Sequence, residues 1–547
     1  VHKNYEFYIR LLMDMHATSP TSGFDAAAFQ ANERARARSL LDMLVEAHVN
    51  IHEGVDSKLL DRERTLEQRL RRRSEYQVEL LGGSHTPEQA ESVAHELQML
   101  AAEQDETEAQ IRASSPRFAA LTQPQPLNVK QIQDSILGPD MLLLEYTLGE
   151  DRSYLWAVTS SDLMSFTLPK RAEIEQAART VYALLTAPNR HPRDEGEWQR
   201  KARLARARAQ YPAAAYRLSE LVLRPVSSLL AGKRRIVIVS DGALQYISFA
   251  ALPIPNRNKA LDEPSRPLLL AAEVVYAPSA SALAVLRRQI ASRSPAPKTV
   301  AVIADPVFGL DDPRVSTSVP VSRSSFPTRH PVQQRSLPDE LERSWTEVTG
   351  PESGGKISRL PFSRREANAI IAAAPSGSRL KALDFRANRA TATSSDLAQY
   401  RFIHFATHAI LDSRTPALSG IVLSLVDERG KPQDGFLRLA DIYNLHLQAD
   451  LVVLSACQTG LGKEIKGEGM VGLTRGFFYA GAARVIASLW KVDDAATAEL
   501  MSRFYEGVLK RGMDPAAALH SAQIYMWQQK RWHEDPYFWA AFQLQGE

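Results

Sequence analysis

The spacing of apolar residues changes twice along the chain. From 1 to 135 they recur every three or four positions. "YEFYIRLLMDMH" and "DAAAFQANERARARSLLDMLVEA" each carry one apolar face, which predicts helices. "KLLDRERTLEQRLRRRSEYQVELL" sets Leu59, Leu66, Leu70 and Val78 on a narrow stripe amid dense charge. Gly82 and Gly83 break the stripe, and "TPEQAESVAHELQMLAAEQDETEAQIRASS" resumes it after a Thr-Pro start. Two apolar seams around a glycine turn predict a helical hairpin resembling a coiled coil. Arg71, Arg72 and Arg73 could attract a polyanion. Glutamates within two turns make a solvated helix face the expected reading.

Near position 139 the period drops to strand-like runs. "MLLLEYTL", "SYLWAVTS" and "LMSFTLP" predict three short strands. Helical patterns follow from about 171 to 231. "RRIVIVSDG" and "LLLAAEVVYAPSASAL" then add buried strands, and a helix starts at Ser279. Residues 309–362 are rich in Ser, Pro and Arg and poor in periodicity, which predicts a mobile insertion. Around it, apolar β-branched runs alternate with helical ones. The strands are "TVAVIADP", "RLKALDF", "RFIHFATH", "LVVLSAC" and "RVIASLW", and "FWAAFQLQG" closes the series. The expected fold class is α/β, a mostly parallel sheet flanked by helices and preceded by an α-helical region. The expected organisation is a helical region over 1–135, an α/β part over 136–295 and a second α/β domain over 296–547. The 136–295 stretch fits either a second sheet beside the first or an extension of it.

Composition narrows the classes. With 547 residues the chain is too long for one core. At 44% hydrophobic and 24% charged residues it reads as globular, and a net charge of +3 gives no reason to expect a nucleic-acid partner. No apolar run reaches the roughly 18 residues that predict a membrane segment. One cysteine excludes an internal disulfide framework and a cysteine-based zinc site, and suits a reducing, cytoplasmic compartment. No motif calls for a cofactor or a metal. The chain begins at Val1, so the lack of a signal peptide carries no weight.

Open α/β sheets place reactive groups at the carboxyl ends of strands. His408 ends "RFIHFATH" and Cys457, the lone cysteine, ends "LVVLSAC". On neighbouring strands these ends lie about 5 Å apart, within reach of an imidazole and a thiol. Taken singly, each has a plainer reading: a buried cysteine is usually a small hydrophobe, and a histidine at a strand end is usually a satisfied rim group. Two nucleophile-chemistry residues ending consecutive strands are more selective. Strand periodicity carried through 408 puts His404 on the same face but deeper, in a structural role. Gly460 and Gly462 supply a loop able to turn backbone N–H groups toward an oxyanion. A phosphate loop is excluded, because Cys457 stands where glycine is required and Glu464 follows Gly462-Lys463.

These motifs resemble a known family. "HFATHAILDSRTPALSGIVLS", "LVVLSACQTGLG", "GEGMVGLTRGFFYAGAARVIASLWKVDD" and "DPYFWAAFQLQG" resemble the CHAT domain, a caspase-like peptidase domain that commonly follows tetratricopeptide repeats. The helices at the start look like the tail of such repeats. The resemblance implies a caspase-like fold, His408 as general base and Cys457 as nucleophile. Their separation of 49 positions is similar to the caspase order. It also implies an oxyanion hole from the backbone N–H groups of Cys457 and of the residue after the histidine. The family usually has glycine there; this chain has Ala409, which adopts positive φ only with strain. "SLWKVDD" is similar to a separase segment that lines the pocket before the scissile bond. That implies a pocket from Trp490, Asp493 and Asp494 suited to Arg or Lys. Asp493 or Asp494 equally suits a helix N-cap, and Glu468 is a further acidic candidate. The implied function is a cysteine endopeptidase acting on a protein substrate, in a bacterial defence or cell-death pathway, with a regulatory protein read by the N-terminal helices. The alternative is an idle peptidase fold acting as a scaffold or sensor.

Overall fold

The computed structural model describes residues 2–46, 57–82, 86–114, 127–190, 192, 195–255, 266–316, 357–410, 420–455, 463–465, 469–471, 473–491, 493–532 and 535–546. Cys457, Gly460, Gly462, Glu468 and positions 317–356 of the expected insertion lie outside them.

Among the described residues a short helix, Val129–Ile136, directly precedes the first strand, and four helices come before it: α1 (His2–Thr18), α2 (Phe24–Glu46), α3 (Ser57–Gly82) and α4 (Pro87–Ser114). The last two form the expected hairpin. Leu66, Val93, Leu97 and Leu100 are buried along its seam, and Arg62–Glu103 and Arg73–Glu96 pair across it at 3.0 and 2.6 Å. Arg71 and Arg72 are exposed. Helix α2 is anchored differently, by buried polar groups. Arg36 donates to the carbonyls of Ser240 and Tyr146, and Glu33 accepts the backbone N–H groups of Ala280 and Ser281 at 3.0 and 2.6 Å. Those two amides open the helix Ala280–Ser292, where a carboxylate is favoured by the free donors and the helix dipole.

Among the described residues the strands are β1 (Met141–Thr147), β2 (Ser153–Val158), β3 (Leu163–Leu168), β4 (Arg235–Val239), β5 (Glu273–Tyr276), β6 (Lys298–Ala304), β7 (Arg379–Ala382), β8 (Tyr400–Ala406), β9 (His408–Ile410), β10 (Gly420–Val422), β11 (Phe436–Arg438), β12 (Leu451–Ser455), β13 (Lys463–Ile465), β14 (Gly469–Val471), β15 (Val485–Ser488) and β16 (Phe542–Gln545). Eleven of them make one sheet in the order β3-β2-β1-β4-β5-β16-β15-β12-β8-β6-β7. The 136–295 stretch therefore extends the main sheet. Neighbours are parallel except at β1–β2, β2–β3 and β15–β16. The central runs "RIVIV" and "LVVLS" are buried along their whole length, as a sheet covered on both faces requires. The edge strand β7 alternates toward solvent.

The antiparallel step at β15–β16 reverses the sheet. Strands β1, β4, β5 and β16 run one way; β15, β12, β8, β6 and β7 run the other. The carboxyl ends of β1 and β4, where α2 docks, face away from those of β8 and β12. Strand β16 joins the halves, and its Leu544 is 1% exposed. Leu544→Ala should lower stability by about 2–5 kcal/mol, as large-to-small changes in packed cores do. Chemical unfolding checks this. Circular dichroism and tryptophan fluorescence should report one coincident transition; two separated transitions would mean that β16 does not couple the halves.

Candidate active site

Strands β8 and β12 are parallel neighbours, with register from Leu451↔Phe402 to Ser455↔Ala406. His408 and Cys457 each follow that last registered pair by two positions. The chain does not carry β8 through to His408. It bends at Thr407, whose hydroxyl donates to the Val422 carbonyl at 2.6 Å, and His408 opens β9 in a small antiparallel sheet with β10 and β11. The expected strand parity between His404 and His408 therefore fails at the bend. The structural reading of His404 stands on its own contacts. It is wholly buried, with Nδ1 3.1 Å from the Tyr505 hydroxyl and Nε2 2.9 Å from Glu366 Oε1.

His408 is 1% exposed. Its Nε2 lies 2.7 Å from the Ser358 carbonyl oxygen. A carbonyl only accepts, so Nε2 carries the proton and the lone pair of the neutral ring sits on Nδ1. Nδ1 is buried without a hydrogen-bond partner among the described residues. The Phe308 ring packs at 5.4 Å from the imidazole. Burial pushes the His408 pKa down to about 4; the Ser358 bond opposes this and the charge of Lys491 adds to it. The ring is thus neutral at physiological pH, the form a general base needs.

Ala409 pairs with Ile421 across β9–β10. Among the described residues, Asp305 and Asp384 are the non-glycine residues at positive φ. Ala409 is in strand backbone that alanine adopts freely, so the expected strain is absent.

The three pocket candidates separate. Trp490 is fully buried, its indole N–H donates to the Tyr537 carbonyl at 3.0 Å, and its ring meets Tyr182 edge-on. Its side chain is core, which corrects the expectation that it lines a pocket. Asp493 is an N-cap and accepts from the backbone N–H groups of Ala495 and Ala496 at 3.1 and 3.0 Å. That leaves Asp494, which is half-buried. Its Oδ2 accepts one long bond, 3.4 Å, from the Phe362 N–H. Burial raises its pKa to about 6, with the Phe362 bond lowering it and Glu366 and Asp493 raising it. Lys491 acts electrostatically on both Asp494 and His408, and the segment Ser358–Phe362 touches both. The two groups share one neighbourhood.

Sequence reasoning missed Ser358 and its setting. The described flanks of the expected mobile insertion, 309–316 and 357–362, are tied down. Arg314 bonds Asp312 and Asp384 at 2.6 and 2.7 Å, and Arg359 bonds Asp305. Polar, low-periodicity composition hid a segment held by ion pairs.

Residues 212–547 match the model of the CHAT domain family, and the chain belongs to that family. Tetratricopeptide repeat protein 28 of Homo sapiens is 31% identical over 181 residues, covering 28% of this chain and 7% of the relative. Its Mus musculus counterpart is 37% identical over 110 residues, covering 20% of this chain and 4% of the relative. The chain thus spans less than a tenth of the length of these relatives. Among solved structures, the Saccharomyces cerevisiae separase–securin complex is similar with a TM-score of 0.47 at 10% identity, over 85% of this chain and 34% of that one. The Arg-specific cysteine proteinase gingipain R is similar with a TM-score of 0.36 at 9% identity, over 60% and 68%.

The two pKa shifts act on stability with opposite signs. The folded His408 pKa of about 4 lies below its ordinary 6.5. Between those values the unfolded chain holds a proton that the folded one lacks, so stability falls as acid is added. The folded Asp494 pKa of about 6 lies above its ordinary 3.8. Its contribution is complete below 3.8 and is lost as pH rises through 6. The two oppose each other between about pH 4 and 6. Asp494→Asn removes one and leaves the other, so its denaturation midpoint should fall more steeply than that of the unmodified protein as pH drops from about 6.5 to 4.5. Parallel curves would contradict this assignment.

Proposed function

We propose that the chain is a cysteine endopeptidase acting on a protein substrate, with His408 as general base and Cys457 as nucleophile. The observation that carries the reading is the β8–β12 register. In sequence, each residue stands two positions past the last registered pair of these neighbouring strands, whose spacing is about 5 Å. Membership of the CHAT family and a neutral imidazole with its lone pair on Nδ1 support it.

In this reading Nδ1 of His408 takes the proton from Sγ of Cys457 as sulfur attacks the scissile carbonyl carbon. The carbonyl oxygen becomes an oxyanion, held by the backbone N–H groups of Cys457 and Ala409. The imidazolium returns its proton to the leaving amine as the C–N bond breaks, which leaves a thioester. Water, deprotonated by His408, attacks the thioester and releases the acid and the thiol. Asp494, the acidic group with spare hydrogen-bonding capacity, receives a basic residue before the scissile bond. The N-terminal helices are the place for a regulatory protein partner.

An arginyl peptide chloromethyl ketone tests the reading. Mass spectrometry should find one adduct, on Cys457, absent from Cys457→Ala. His408→Ala should slow peptide cleavage by roughly 10²–10⁴-fold, the usual contribution of a general base. An unlabelled native protein would overturn the reading in favour of an idle scaffold. Asp494→Asn should raise KM for arginyl substrates by roughly 10–100-fold with kcat little changed, the loss of one charge-assisted contact. An equal loss on uncharged substrates would contradict the pocket role.

A further inference from the structure

We infer that Asp305 is the positioning residue for His408, acting through Arg359 and the Ser358 carbonyl. The inference rests on the reading of His408 as the base, but its structural part stands alone.

Asp305 follows β6, the strand beside β8. Its side chain is wholly buried and takes three guanidinium groups. Arg359 binds it in a fork, Nε to Oδ1 at 2.8 Å and Nη2 to Oδ2 at 2.7 Å. Arg364 Nε reaches Oδ2 at 2.6 Å, and Arg314 Nη1 stands 3.3 Å from Oδ1. Arg314 and Arg364 also pair with Asp384, and Arg314 with Asp312. Three arginines and three aspartates thus balance, so removing one leaves its partners' charge uncompensated.

Both supports of His408 lead back to this cluster. The first is the acceptor of Nε2. Ser358 directly precedes Arg359, whose planar fork on Asp305 fixes the orientation of that stretch of backbone. The second is β10, which pairs with β9 at Val422↔His408. Past β10, the Ser424 hydroxyl donates to the Asp384 carbonyl at 2.7 Å and accepts from the Val307 N–H at 3.0 Å. The Asp384 N–H in turn approaches the Asp305 carbonyl at 3.3 Å. Asp305 and Asp384 are also the two aspartates at positive φ, 48° and 54°. Non-glycine residues persist there only where the surroundings over-determine them, and such outliers gather at functional sites. Among the described residues Lys491 is the charged group that acts on His408, and the link from the cluster to His408 runs through the backbone of Ser358 and through Ser424.

The test reads His408 without relying on catalysis. The full chain is labelled with [13Cε1]histidine, and the His408 signal is identified by its loss in His408→Gln. In Asp305→Asn the His408 titration should move up by at least one pH unit toward the ordinary 6.5, as the ring loses its acceptor and gains water. Arg359→Gln, a change at a more exposed side chain, should do the same if Asp305→Asn fails to fold. Arg401→Gln, which breaks the surface pair with Asp450, should change nothing. An unmoved His408 titration in a folded Asp305→Asn or Arg359→Gln protein overturns the inference. The two proposals fail separately: a moved titration in a protein that never reacts with the chloromethyl ketone sinks the peptidase reading alone, whereas labelling on Cys457 with an unmoved titration sinks the positioning role alone.

Discussion

The site depends on a buried imidazole that has one committed nitrogen. Sealing His408 away from water with the Ser358 carbonyl as its described hydrogen-bond partner does two things at once. It makes the charged ring unfavourable, and it directs the proton to Nε2. A ring that is neutral and in one tautomer follows from burial plus one acceptor, with no carboxylate bonded to it among the described residues. The cost is that the acceptor must be held in place, since a backbone carbonyl on a loose segment would leave the ring wet. The packing around it serves that end: Phe308 tilted against the imidazole, β10 beside β9, and Arg359 locked on Asp305.

The sheet explains where that arrangement can sit. Its halves run in opposite directions and meet at β15–β16. Reactive groups collect at the carboxyl ends of parallel strands, so each half offers one such end, and the two ends face apart. One carries His408. The other is filled by α2 through Arg36 and Asn32, which reach the backbone of Tyr146 and Ser240 and the carboxyl group of Glu145. Glu145 is fully buried, and its pKa is raised well above the ordinary carboxylate value by burial and by Glu33. The second end is thus filled by α2, which also packs on the helix Leu473–Tyr479 that follows β14.

Much of this was legible in the sequence, because apolar runs and turn residues report burial and burial dictates the sheet. "RFIHFATH" and "LVVLSAC" read as consecutive parallel strands, and their parts 401–406 and 451–455 lie in the neighbouring strands β8 and β12. The helical hairpin was legible for the same reason. The break at Thr407 was not: a β-bend held by a threonine hydroxyl leaves the hydrophobic pattern unchanged. Ser358 could not be found either, since any residue offers the same carbonyl. Asp493 and Trp490 show a third limit. Both lie in the motif that suggested a pocket, yet local needs, two free amides at a helix start and a core site for an indole, account for both side chains. Ion pairs hid the order of the insertion's described flanks, because composition-based reading treats arginine-rich stretches as solvated.

Cys457 is the one thiol of the chain, so alkylation of the whole protein reports on it alone. The most direct test of a neutral base is the pH dependence of its reaction with iodoacetamide. In the proposed reading, a Cys457 thiol set beside a neutral, desolvated His408 stays protonated near neutrality. Its rate should fall by roughly ten-fold per pH unit below the thiol pKa, with no fast plateau between about pH 5 and 7. A rate at pH 5–6 matching that at about pH 8.5 would reveal a preformed thiolate–imidazolium pair and contradict the account.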